Sequence, residues 1–208
     1  MVSLLLFAWL CNLVLQPEIL PIDLRIRMWV HAFASPRVTF LFLLITQLGH
    51  WLVLFPIGLL LAILFLNSRF AQARTLTITL YGAIVLSAAL KLVFHRARPE
   101  PFFGLAAPRT HSFPSAHALV SFCFFSLIAG IISKRVESRR VRLGACGLAG
   151  LLIALIGLSR IYLGMQYPSS VLAGYAAGIV WTESVKFFTA RQLDERVPDG
   201  DEQELRES

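Results

Sequence analysis

The chain has 208 residues, 57% of them hydrophobic and only 15% charged, with a mean hydropathy of +0.71. Soluble domains carry roughly 25% charged residues, and here the apolar residues form continuous blocks, which excludes an ordinary soluble domain and a strand-alternating β-barrel. A net charge of +7 and a pI near 9.9 do not argue for a nucleic-acid partner, because the basic residues sit at the ends of the apolar blocks, where topology and membrane surfaces account for them.

Residues 2–15 form a short apolar run reaching about 21 Å as a helix. The start lacks the basic n-region and small-residue cleavage site of a removed signal peptide. Residues 22–34 mix charge with apolar side chains and read as an interfacial amphipathic helix, with His31 on its polar side. From Val38 to Leu66 the apolar character runs too long for one span. Gly49-His50 and Pro56 punctuate it, giving a shallow helix to about Leu48 and a span over about 51–67, stopped by Asn67, Ser68 and Arg69.

Further spans are expected over about 75–93, 115–133, 143–159 and 169–188. The fold class is therefore all-α: a polytopic membrane protein of about six transmembrane helices plus the interfacial helix. Residues 1–191 make one helical domain, and 192–208 an acidic tail expected to be disordered and cytoplasmic. Cys11, Cys123 and Cys146 lie in apolar stretches without metal-ligand spacing and read as inert buried thiols.

Charge sets the expected orientation. Arg69 and Arg74, the cluster Lys134, Arg135, Arg139, Arg140 and Arg142, and Lys186 with Arg191 fall on one side, the cytoplasmic one. Span counting then places Lys91–His117 and Arg160 together on the opposite, external or periplasmic face. Arg25, Arg27, Arg37, Arg96 and Arg109 lie on that face too and weaken the asymmetry.

The stretch KLVFHRARPEPFFGLAAPRTHSFPSAH (91–117) concentrates candidate oxyanion ligands. Lys91 ends a span, where a bare ammonium is costly unless paired or hydrated. Arg98-Pro99 follows, since Pro disfavours helix at the residue before it, and a guanidinium fork matches phosphate oxygens. Pro114-Ser115-Ala116-His117 fits a helix start whose free N–H groups attract anions, with His117 beside them as a proton donor. Arg160 follows a later span. His95 and His111 read as headgroup-level loop residues, and Phe102 and Phe103 as interface anchors.

Lysine, six residues, Arg-Pro; then Pro-Ser-Ala-His; then SRIYLGMQYPSSVLAG: this pattern resembles the type 2 phosphatidic acid phosphatase and vanadium haloperoxidase superfamily, in its six-span lipid phosphatase form. The layout match covers about residues 23–188 and the motif core 91–172. The resemblance implies an outward-facing pocket at the membrane surface without a metal or other cofactor. Its ligand would be a membrane lipid phosphate or polyprenyl pyrophosphate. By position, Lys91, Arg98 and Arg160 would bind the phosphate with Ser115 and the backbone of Ala116, and His117 would be the general acid.

The chain departs from the family in three places. The nucleophilic histidine falls at Gln166, the aspartate that orients it at Ser170, and the usual motif glycine at Ala116. A neutral amide forms no stable phosphoryl-enzyme, and losing a nucleophile costs several powers of ten in rate. The implied function is lipid phosphate or pyrophosphate binding with impaired dephosphorylation. The alternatives are an active phosphatase (of undecaprenyl pyrophosphate, for example) using direct water attack with a histidine base, and a non-catalytic sensor, carrier or partner subunit. A vanadate haloperoxidase fits poorly, because the vanadate-ligating histidine is the missing one. Oligomeric state is not legible.

Overall fold

The computed structural model describes residues 2–16, 18–66, 70–106 and 108–194, and every regular element among them is an α-helix. In chain order these are α1 (Val2–Leu15), α2 (Ile19–His31), α3 (Pro36–Gln47), α4 (Trp51–Leu66), α5 (Phe70–Phe94), α6 (Ala116–Arg135), α7 (Arg139–Tyr162) and α8 (Pro168–Asp194). Of the described residues, Gln72–Phe94, Ala116–Arg135 and Arg139–Tyr162 are long and apolar enough to cross a bilayer. The chain is thus an all-helical membrane protein.

The expected count of about six spans exceeds those three. Helices α1 and α4 are shorter, at 14 and 16 residues. Helix α8 has 27 residues but mixes Ser, Thr, Gly and charged residues with its apolar ones. Helices α2 and α3 pass the length test only as a pair bent by 120°, in the region read as an interfacial helix and a shallow one. Pro56 does not interrupt α4, so the Gly49-His50 turn alone separates α3 from α4. Asn67, Ser68, Arg69 and residues 195–208 of the acidic tail lie outside the described residues.

Helix ends follow local chemistry. Ser35 caps α3 through the Val38 N–H, with Pro36 in the first turn. Ser115 caps α6 in the same way through Ala118. Pro114 therefore stands just outside α6 rather than in its first turn. Helix α7 ends at Tyr162 with Leu163 as its C-cap, followed by Gly164 at φ +72°, a left-handed stop that glycine adopts without strain.

Helix α6 is central and touches α4, α5, α7 and α8. The main core joins Leu54 and Ala62 of α4, Leu76, Leu80 and Ala83 of α5, Leu119, Cys123 and Leu127 of α6, and Ala177 of α8. Small residues permit the close approach of α8 to α6. A Cβ on Gly174 would stand 2.7 Å from the Ser115 carbonyl oxygen. The outer surfaces carry exposed Leu143, Leu148, Leu151 and Leu158 on α7 and Val85, Leu92 and Val93 on α5, as a bilayer solvent requires. Cys123 is buried, Cys11 is partly buried and Cys146 is exposed; the reading of three buried thiols holds for Cys123 and fails for Cys146, whose Sγ meets Ser133 Oγ at 3.5 Å at an exposed edge of the α6–α7 contact.

Candidate functional site

One end of the bundle gathers the C-terminal ends of α5 and α7, the N-terminal ends of α6 and α8, and the turn between α3 and α4. Lys91 lies in the last turn of α5 and Arg160 in the last turn of α7. Ser115, Ala116 and His117 start α6, Ser170 lies in the first turn of α8, and Arg98 and Gln166 come from the connecting loops. Lys91, Arg98, Arg160 and His117 are within electrostatic reach of one another. All eight candidate residues thus meet at one end.

No carboxylate is ion-paired with Lys91, Arg98 or Arg160 among the described residues. Arg160 is 5% exposed; its Nη1 donates to Thr46 Oγ1 at 3.0 Å, and its buried Nε has no hydrogen-bond partner. Three uncompensated cations held together are costly, and a bound oxyanion would relieve the cost. Arg98 is differently placed. It donates from Nε to the Thr110 carbonyl (2.6 Å), from Nη2 to Thr110 Oγ1 (2.9 Å) and from Nη1 to the Met165 carbonyl (3.1 Å). Burial lowers its pKa from the ordinary guanidinium value.

Gln166 is 2% exposed. It sets its amide oxygen against Arg98 Nη1 at 2.9 Å and its amide nitrogen against the Ser112 carbonyl at 2.8 Å, the orientation that satisfies both atoms. Its backbone N–H donates to the Arg160 carbonyl at 3.1 Å. The side chain therefore braces two points of the 98–112 loop, while the backbone N–H ties the residue to the end of α7. An amide so held offers neither a lone pair for attack on phosphorus nor a proton equilibrium near neutrality.

Ser170 is fully buried. Its Oγ accepts from Arg96 Nη1 at 2.9 Å, and its carbonyl accepts from the Ser115 N–H at 2.9 Å. Arg96 continues to Asp23 Oδ2 at 2.7 Å and to Ser169 Oγ at 2.8 Å. Asp23, 1% exposed, also accepts from the Ser169 backbone N–H at 2.9 Å and the Ser169 hydroxyl at 2.5 Å. A buried carboxylate thus does reach the start of α8, but it comes from α2 and serves Arg96.

Ala116 opens α6 with ordinary helical backbone and lines a cavity of about 450 Å³. Ile84, Ser87, Ala88, Lys91 and Leu92 of α5 line it too, with Val120 of α6 and Arg109, Thr110 and His111 of the loop. Of the three site cations only Lys91 lines it, beside a mostly apolar wall of α5 and α6, a composition that suits a headgroup with part of a chain. His95 and His111 stack edge to face at 4.8 Å in the loop.

The sequence reading missed the other wall. Thr46 and His50 flank the α3–α4 turn, with His50 set perpendicular to His117 at a centroid distance of 5.4 Å. Asp23 and Arg96 were not singled out, although a carboxylate at membrane level calls for a partner. Arg27, read as a loose external charge, is 6% exposed. It donates to the Glu100 and Gly164 carbonyls and stacks over Phe102 at 4.3 Å. Phe102 turns inward onto His31, at a centroid distance of 3.8 Å, so it packs the 99–105 loop onto α2 in place of the expected interface anchor.

Known proteins bear on this arrangement. The chain is 28% identical to phosphatidylglycerophosphatase B of Bacillus subtilis (strain 168) over 156 residues, 74% of this chain and 73% of that protein. It is 28% identical to lipid A 1-phosphatase of Rhizobium johnstonii, covering 65% of this chain and 59% of that one. The crystal structure of a transmembrane PAP2 type phosphatidylglycerolphosphate phosphatase from Bacillus subtilis superposes with a TM-score of 0.82 at 24% identity, covering 96% of this chain and 97% of the other. The LpxE structure of Aquifex aeolicus gives 0.59 at 24% identity, covering 78% and 93%. The sequence profile of the PAP2 superfamily matches residues 72–192, more than half the chain and the stretch that carries every cation of the site, and the chain belongs to that superfamily.

Proposed function

We propose that this protein binds the phosphate or pyrophosphate headgroup of a membrane lipid at the outer face of the membrane, and that its dephosphorylating step is impaired. The observation that carries this reading is Gln166, braced between Arg98 and the Ser112 carbonyl where a nucleophile is required. Lys91, Arg98 and Arg160 hold the headgroup with Ser115 and the N-terminal N–H groups of α6. His117 stands ready to protonate a leaving oxygen that nothing in the site displaces. The relatives named for phosphatidylglycerophosphate and lipid A support the ligand class, and the apolar cavity below Lys91 supports an acyl or prenyl chain.

The outer-face assignment is helped by Arg27 and Arg96. Both are engaged inside the protein and so do not count as free loop charges opposing the basic connector at 134–142.

Purified protein in detergent should bind orthovanadate or tungstate. Lys91→Ala and Arg160→Ala should each weaken binding by about tenfold to a hundredfold, the worth of a charge-assisted contact. Unchanged affinity in both variants would remove the anion site. The same preparation should release little phosphate from phosphatidate, phosphatidylglycerol phosphate or undecaprenyl pyrophosphate.

A further inference from the structure

The α3–α4 turn presses closely on the start of α6 and the end of α7. A Cβ on Gly49 would collide with the Ile156 side chain and would stand 3.4 Å from His117 Cδ2. Thr46, one turn earlier, holds Arg160. His50 follows at once, perpendicular to His117 with ring centroids 5.4 Å apart, close enough for the two rings to interact electrostatically. The turn is therefore a wall of the cation site, and it brings a histidine beside His117.

The tautomer of His50 follows from its local role. Residue 50 precedes α4, and its Nδ1 accepts from the Leu52 backbone N–H at 3.2 Å, as a helix N-cap side chain does. A ring nitrogen that accepts carries no proton, so the neutral imidazole bears its proton on Nε2. With Nδ1 bound in this way, Nε2 has no lone pair for attack on phosphorus. What His50 can supply is a fixed, uncharged N–H donor.

We propose that His50 is a phosphate ligand of this site: a neutral Nε2–H donor to a headgroup oxygen, held in register by its Nδ1 cap on α4. It adds a directed hydrogen bond without a fourth full charge beside Lys91, Arg98 and Arg160. The proposal rests on the headgroup-binding reading and assigns a contact that lies outside the three sequence motifs.

Two isosteric variants separate the roles of the ring. His50→Asn keeps an acceptor near Nδ1 and so the cap, but has no donor at the Nε2 position. His50→Gln places an amide N–H near Nε2 and gives up the cap. Orthovanadate titrations of the full chain in detergent, with thermal unfolding alongside, should show His50→Asn unfolding near the wild type yet binding about tenfold more weakly. His50→Gln should bind within about threefold of the wild type at lower thermal stability. Wild-type affinity in His50→Asn would overturn the proposal, because the ring would then act only as a cap. Should His50→Asn not fold, His50→Gln decides: affinity within threefold supports the donor, and loss of binding overturns it. Lys91→Ala in the same series tells the two readings apart. If it too binds as the wild type does, the anion site falls; if it weakens while His50→Asn does not, only the assignment of His50 falls.

Discussion

Gln166 is where chemistry and packing meet most tightly. Its amide satisfies Arg98 and Ser112 at once, and both of its own polar atoms are buried. Gln166→Leu would keep the volume and leave the Ser112 carbonyl and one Arg98 N–H without partners, a loss of about 1–3 kcal/mol. A lowered unfolding temperature in detergent, with the helical circular dichroism retained, is the expected outcome; a stability equal to the wild type would mean that the brace carries no weight. That a glutamine falls where the resemblance implies a histidine was legible in the sequence. That the glutamine is engaged, and with what, was not, because Ser112 lies 54 positions earlier and meets it only after α6 and α7 have folded back.

Among the elements, α2 ties together the loops around the site. Asp23 reaches across to Ser169 and Arg96, whose Nη1 meets Ser170, and Arg27 grips the ends of two loops. Residues 22–34 were read as an interfacial amphipathic helix; α2 spans Ile19–His31 and turns Asp23 and Arg27 inward while Leu24, Ile26 and Met28 are exposed. Periodicity cannot tell a charge facing water from one facing a buried partner, so Asp23 and Arg27 were legible as charges and not as ties. Asp23→Ala strands the Arg96 guanidinium, whose pair is nearly dry at side-chain exposures of 12% and 2%, and should cost about 3–5 kcal/mol. Gly164→Ala should also destabilise. Its φ of +72° strains any L side chain, and the new Cβ would stand 2.7 Å from the Phe102 backbone nitrogen. Unfolding midpoints unchanged in both variants would contradict this account of how α2 and the 99–105 loop are fastened.

Over the whole molecule, the alternation of apolar blocks and basic connectors was enough to place Lys91, Arg98, His117 and Arg160 at one end, since an even number of crossings separates them. The α3–α4 turn escaped that counting: its helices are short, and nothing in a run of apolar residues says how deep a turn descends beside α6. Orientation is testable directly. In a chain with Cys11, Cys123 and Cys146 replaced by serine, Arg109→Cys should react with a membrane-impermeant maleimide on intact cells, and Arg140→Cys only after permeabilisation. The reverse pattern would turn the site to the cytoplasm.

The account stands or falls on the proposed lack of an attacking group at position 166. Phosphate release from phosphatidate, phosphatidylglycerol phosphate and undecaprenyl pyrophosphate should be compared for the wild type and for Gln166→His with Ser170→Asp, which places there the histidine and carboxylate that the family resemblance implies. The expected result is little release by the wild type and a clear gain in the double variant. Wild-type turnover at ordinary enzyme rates, above roughly 1 s⁻¹, would contradict it.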